Sequence, residues 1–174
     1  MNNKVVIVNQ TSGYLMVDTV NAFAEQYDQV SLIVGSLKEE ERPLNDKVDV
    51  VRIVKYNRSS AIKRLLTWGI GTIQIFWKLL FKFRGYHVVY VTNPPMSYLC
   101  SKVLRNTFSV IVYDIYPDAL RNIGIREGNF IYNWWAKQNG KLFKKAEAVY
   151  ALSDSMAKAL SAYMPIEDVK VIPL

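Results

Sequence analysis

Polar and apolar positions along this 174-residue chain change period repeatedly, from unbroken β-branched runs to helical spacing and back. Lys4–Asn9 (KVVIVN) is a continuous apolar run closed by turn residues, the pattern of a strand buried on both faces. Thr11-Ser12-Gly13-Tyr14 reads as a turn, and Val17–Tyr27 has helical spacing with Val17, Val20, Ala24 and Tyr27 on one side. Further strands are predicted at Val30–Val34, Val48–Val54, His87–Val91, Ser109–Tyr113, Ala148–Leu152 and Lys170–Pro173. Helices are predicted over Ile62–Phe83, over Pro95–Arg105 with proline near its first turn, over Phe130–Lys145 and over Asp154–Tyr163, the last capped by Ser153.

Strands that alternate with helices predict an α/β fold: a doubly wound, mostly parallel Rossmann-like sheet of about seven strands with helices on both faces. No internal repeat or low-complexity linker divides the chain, and Lys38–Asn45 reads as a solvated loop. The whole of 1–174 is therefore expected to form one domain. It stops in an extended apolar segment, Val169–Leu174, with no closing helix.

The long predicted helix is unusual. On a wheel, Lys63, Thr67, Gly71, Gln74, Lys78 and Lys82 form one narrow polar stripe together with Arg64, and nearly everything else is Leu, Ile, Phe or Trp. Three placements fit this pattern. The helix is buried between the sheet and another element, or it packs on the sheet and dips its other edge into a bilayer interface, or it spans a membrane. The uncharged stretch Leu65–Trp77 falls short of the roughly 20 residues a span requires.

Charge sharpens that choice. From Val50 to Tyr113 there is no Asp or Glu but ten Lys or Arg, while the rest carries 12 basic and 15 acidic residues. The net charge of +7 thus comes from one window, which an anionic surface would attract. Its basic residues alternate with bulky aliphatics rather than lining a polar face, and no nucleic-acid motif appears, so a membrane surface fits better than nucleic acid. The membrane-facing candidates are Lys63, Arg64, Trp68, Trp77, Lys78 and Lys82. A single cysteine, Cys100, excludes an internal disulfide and a thiolate metal site. A single histidine, His87, excludes a His-rich metal centre, so no metal is expected; as the opening residue of a strand it is a poor general base. The N-terminal apolar run is too short for a secretory signal, giving an expectation of a cytoplasmic protein.

In a doubly wound sheet, ligands bind beyond the carboxyl ends of the strands. Three loops qualify: Gln10–Tyr14, Thr92-Asn93-Pro94-Pro95, and Asp114-Ile115-Tyr116-Pro117-Asp118. Neither the dinucleotide fingerprint nor the phosphate loop is present, so no classical NAD or ATP site is expected. Gly13 is either a plain turn residue or a point of close approach for a ligand at a helix N-terminus. Asp114 and Asp118 either cap adjoining turns or serve a site.

Five segments together resemble the N-terminal, acceptor-side domain of family 4 glycosyltransferases of the GT-B fold. They are KVVIVNQTSGY, VVYVTNPP, IVYDIYPDALRNIGI, AEAVYALSDSMAKAL and VKVIPL. Asp-x-Tyr-Pro-Asp followed by Gly124 is similar to the branch that builds bacterial surface polysaccharides. The resemblance implies half of a GT-B enzyme that transfers a sugar from a nucleotide-sugar, with retention, to a lipid-linked or glycan acceptor. The nucleotide-sugar donor would be held by a C-terminal domain absent from this chain, with no other cofactor. It implies Asp114, Tyr116 and Asp118 in the catalytic region and Gly13, Tyr14 and Asn93 against acceptor. Many relatives place a histidine in the Asp114–Asp118 loop, where this chain has Tyr116. Relatives also meet the inner face of the plasma membrane through a basic, apolar element, which implies a peripheral location there. Two alternatives are a non-catalytic, membrane-anchoring and acceptor-binding subunit of a split glycosyltransferase, and half of a GT-B sugar-nucleotide epimerase.

Overall fold

The computed structural model describes residues 3–39, 42–123 and 125–172. Gly124 and the terminal Pro173 and Leu174, which figure in the motifs above, lie outside them. The strands are β1 (Lys4–Val8), β2 (Thr11–Ser12), β3 (Gln29–Val34), β4 (Ser36–Leu37), β5 (Val48–Arg52), β6 (His87–Val91), β7 (Phe108–Val112), β8 (Ala148–Ala151) and β9 (Val169–Val171). The α-helices are α1 (Tyr14–Gln26), α2 (Ala61–Phe81), α3 (Phe130–Phe143) and α4 (Asp154–Leu160).

Seven strands form one parallel sheet in the order β5-β3-β1-β6-β7-β8-β9. Alternation along each strand splits the core in two. Val5 and Ile7 of β1 pack with Met16, Val20 and Ala24 of α1 on one face. Val6 and Val8 pack on the other face, in the layer that holds Ile75 and Leu79 of α2, Leu142 and Phe143 of α3, and Ala157 and Leu160 of α4. The expected doubly wound sheet with helices on both faces is what the chain forms. Strand order reverses between β1 and β6, so the crevice for a ligand opens there, at the carboxyl ends.

Two local expectations change. Thr11–Ser12, read as a turn, pairs in parallel with Ser36–Leu37 as a small second ladder. The helix expected over Pro95–Arg105 is only a 3-10 segment, Ser97–Lys102. It is wedged against α2 and α3, and a three-residue period turns both Tyr98 and Ser101 inward, where both are buried.

The middle of the polar stripe of α2, Thr67, Gly71 and Gln74, faces the protein, while Lys63 and Lys82 at its ends are exposed. Gln74 Oε1 accepts from Val54 N–H at 2.8 Å, and Thr67 Oγ1 accepts from Asn57 N–H at 3.2 Å. Lys82 Nζ reaches Asp49 on edge strand β5 at 2.9 Å. The backbone of Val54–Asn57 has left the sheet and needs partners, and this stripe supplies them. Trp68, Gly71, Ile75 and Leu79 are buried beside it. Ile62, Leu65, Leu66, Ile70, Ile73, Trp77 and Phe81 are left exposed. Of the three placements, the helix is therefore packed on one side and bare and apolar on the other. No described helix is long and apolar enough to cross a membrane.

Candidate functional site

The carboxyl ends of β1, β6 and β7 carry the three loops singled out in the sequence, and hydrogen bonds fasten them into one rim. Gln10 N–H donates to the Asn93 carbonyl at 2.6 Å. Thr92 Oγ1 accepts from the backbone N–H groups of both Tyr113 (3.0 Å) and Asp114 (3.1 Å). One threonine thereby holds the β6 and β7 loops in register.

Gln10 extends the same framework sideways. Its carbonyl accepts from Gly35 and Ser36 N–H, both at 3.0 Å. Its side-chain Nε2 donates to the carbonyls of Val54 (3.1 Å) and Thr67 (2.9 Å). One buried residue thus ties the rim to β4, to the end of β5 and to α2. Gly35 is required where these backbones converge, because a Cβ there would stand 2.4 Å from the Val54 carbonyl oxygen.

Between the β1 and β7 ends lies a depression of about 170 Å³ lined by Asn9, Thr11, Gly13, Tyr14, Met16 and Tyr113 among others. Gly13 begins α1 with no side-chain cap, and the first turn holds no acid, so the helix dipole there is not neutralised by the protein. Asn9 is 1 % exposed, and neither its Oδ1 nor its Nδ2 has a hydrogen-bond partner among the described residues. An orphaned buried amide in a pocket wall is costly unless a ligand or water completes it.

The residues expected at the site separate. Gly13 and Tyr14 line the depression, and Tyr14 is well exposed. Asn93 is half-buried with both backbone groups engaged, its N–H bonding the Val91 carbonyl. Asp114 is exposed at the rim, and its carboxylate enters no ion pair among the described residues. Asp118 is turned away. Its Oδ1 accepts from Tyr132 at 2.7 Å and pairs with Arg121 at 2.8 Å, and its Oδ2 accepts from Tyr163 at 2.5 Å. Burial, and then the bond and charge of Asp118, raise the Tyr163 hydroxyl above its ordinary pKa. That carboxylate knits the β7 loop to α3 and to the turn after α4.

Tyr116 and Trp68 are both drawn into an aromatic column, which corrects the expectation that Trp68 lies on the membrane surface. Trp68 is 8 % exposed. Tyr56 stacks on Trp68 (5.5 Å between centroids), Trp68 meets Tyr116 edge-on (6.0 Å), and Tyr116 stacks on Trp135 (5.7 Å). Below the column, Trp135 Nε1 donates to Tyr98 Oη at 2.6 Å, Tyr98 donates to Asn139 Oδ1 at 2.8 Å, and Asn139 Nδ2 donates to the Tyr116 carbonyl. The Tyr116 hydroxyl is raised above its ordinary pKa, first by burial and then by the Asp114 charge, with Arg64 opposing. The other surface candidates divide: Trp77 is exposed and stacks on Phe81 at 5.5 Å, Lys63 is exposed, Lys78 is half-buried, and Lys82 is tied to Asp49.

His87 sits at the opposite, amino end of the sheet. Its ring nitrogens contact Thr107 Oγ1 (2.9 Å) and Ser109 Oγ (3.0 Å), so it takes no part in the rim. Asn9 lies outside the loops singled out in the sequence, and Gln10 and Thr92, which are in them, were given no role of their own there. The available signal was their place directly after apolar strands, where a polar side chain stays buried.

No protein-family model matches the chain, and neither does any curated protein sequence. Solved structures do resemble it. One is MurG of Acinetobacter baumannii, with 13 % identity and a TM-score of 0.53 over 97 % of this chain and 45 % of that one. Another is UGT2 of Phytolacca americana, solved with UDP-2-fluoro-glucose and pterostilbene, with 13 % identity and a TM-score of 0.58 over 98 % of this chain and 53 % of that one. The chain spans about half the length of each. At this identity the likeness is one of fold: the sheet and its helices match one Rossmann-like half of a GT-B architecture.

Proposed function

We propose that this chain is the acceptor-side domain of a GT-B glycosyltransferase. It would bind a lipid-linked or glycan acceptor at the rim, while a second domain presents a nucleotide-sugar across the cleft. The observation that carries this reading is the rim itself. Loops after β1, β6 and β7 are locked together at the switch point, with an Asp114 carboxylate and an Asn9 amide that have no partner among the described residues and α1 opening beside them. An exposed carboxylate at such a rim suits a hydroxyl acceptor, whose proton it can accept by hydrogen bond. The nucleotide-sugar present in the UGT2 complex supports the choice of donor class. Retention of configuration and a role in surface polysaccharide synthesis follow from the sequence resemblance and belong to the same proposal.

The bare face of α2 supports a peripheral position on an anionic leaflet, the inner face of the plasma membrane. Its exposed Ile, Leu, Trp and Phe side chains stand within a window that has no acid, the composition of a helix lying in a headgroup interface. The same rim also fits a non-catalytic subunit that brings acceptor and membrane contact to a separate donor-binding chain.

The test is transfer of radiolabelled sugar from a panel of nucleotide-sugars in membranes of cells that carry this chain, carry its Asp114→Asn form, or lack it. A labelled product that needs the chain and falls with Asp114→Asn is expected. Identical products with and without the chain overturn the proposal. A donor-binding partner that co-purifies as a separate chain selects the split form.

A further inference from the structure

The first turns of α2 hold two buried donors, Arg64 Nε–H and Trp68 Nε1–H, that lack an acceptor among the described residues. They are four residues apart and so lie on one side of the helix. The Arg64 guanidinium sits over the Trp68 ring, 5.5 Å from its centroid. Arg64 has no carboxylate partner among the described residues, and Trp68 is more than nine-tenths buried. An N–H withdrawn from water and left unpaired is unfavourable, and two together call for a ligand that only accepts.

The surroundings narrow the ligand. Arg58 lies over Tyr56, which stacks on Trp68, and Lys63 is adjacent, so positive charge collects here. The cluster is close to the rim, since the Trp68 ring meets that of Tyr116, two residues beyond Asp114, at 6.0 Å between centroids. On the outer side of the same turns, Ile62, Leu65 and Leu66 are exposed. A planar guanidinium beside a second fixed N–H matches the oxygens of a phosphate. Apolar side chains alongside match a hydrocarbon tail.

We infer that Arg64 and Trp68 form an oxyanion site that takes the phosphate of a lipid-linked acceptor, with its tail along Ile62, Leu65 and Leu66. This deepens the acceptor-domain reading and rests on it for the position of the sugar end, which would reach the rim at Asp114. Trp68, first expected to touch the membrane as an apolar anchor, acts instead through its indole N–H.

The test is calorimetric titration of the chain with farnesyl phosphate, farnesol and inorganic phosphate, in wild type, Arg64→Gln and Trp68→Phe. Trp68→Phe keeps a stacking ring but removes the pyrrole ring together with the donor, and Arg64 is half-buried over that ring, so thermal melts of both variants accompany the titrations and a loss of binding counts only where the melt is unchanged. Farnesyl phosphate is expected to bind, and each substitution to weaken it about tenfold or more, the loss for one hydrogen bond to a charged group. Farnesol should lose most of the affinity, and inorganic phosphate should compete only at far higher concentration. Unchanged binding in Arg64→Gln, farnesol binding as tight as farnesyl phosphate, or inorganic phosphate as tight as either overturns the inference. If Arg64-dependent binding persists while sugar transfer proves independent of the chain, the lipid-phosphate site stands and the glycosyltransferase reading falls. Transfer that needs the chain but ignores Arg64→Gln does the reverse.

Discussion

The side-chain amide of Gln10 and the bare Cα of Gly71 are in such close contact that a Cβ at position 71 would stand 2.7 Å from Gln10 Nε2. Gln10 has no exposure, and its amide is held by the Val54 and Thr67 carbonyls, so it cannot swing aside. Gly71→Ala should therefore destabilise despite the gain of about 1 kcal/mol in helix propensity, with a net loss of about 1–2 kcal/mol as the two bonds are disturbed. Gly69, two residues away, has open space at its Cβ, and Gly69→Ala should stabilise by up to about 1 kcal/mol. Urea denaturation of the two variants should shift in opposite directions; a shared direction refutes the contact.

The two aspartates of the β7 loop should behave as different kinds of residue. Asp118 serves two tyrosines and Arg121, so Asp118→Asn should cost about 1–3 kcal/mol. Asp114→Asn should change stability by less than about 0.5 kcal/mol while lowering product formation. Thermal melts set beside the transfer assay separate these outcomes.

His87 supplies a pH-dependent element. Burial lowers its pKa from the ordinary 6.5, against the opposing charge of Glu147 at 3.5 Å. The unfolded chain then binds more proton than the folded one between that lowered value and 6.5. Stability is fully present above about pH 6.5 and falls as pH drops through this window, by at most about 1.4 kcal/mol per unit, then levels off. As the one histidine in the sequence, it can be followed directly by proton NMR. A folded-state value at or above 6.5 refutes this.

Cosedimentation with phosphatidylglycerol vesicles should depend on the outward face of α2. Trp77→Asp or Phe81→Asp should weaken binding at least about tenfold, in line with the burial of one large apolar side chain. Lys63→Glu should weaken it by about 1 kcal/mol or more, and added salt should mimic that loss. Lys82→Glu tests something else, because Lys82 is engaged with Asp49 in a surface pair worth little. Equal recovery of wild type and Phe81→Asp in the supernatant at low salt removes the membrane from the proposal.

Much of the fold was legible because unbroken runs such as Val5–Val8 and Val88–Val91 have few alternatives to a strand buried on both faces. The loops followed from the strand order. The stretch Pro95–Arg105 misled because helical composition cannot register the contacts that Ser97–Lys102 makes with both α2 and α3. Asp118 and Tyr116 looked equivalent to Asp114 because the tyrosines and tryptophans that claim them come from distant segments; Arg121, three residues on, is the one local partner of Asp118 among the described residues. Asn9, and the bracing role of Gln10, were hidden because a polar residue after a strand reads as a turn unless its burial is known.

By itself, the sequence determined the parallel sheet, the three loops at its carboxyl edge and the presence of one over-apolar basic helix, since these depend on local periodicity and on rules of strand connection. The tertiary structure alone decided which way that helix faces. The middle of its polar stripe, at Thr67, Gly71 and Gln74, turned inward because the loop leaving β5 and the amide of Gln10 needed hydrogen-bond partners, and satisfying them left the hydrophobic side in the open.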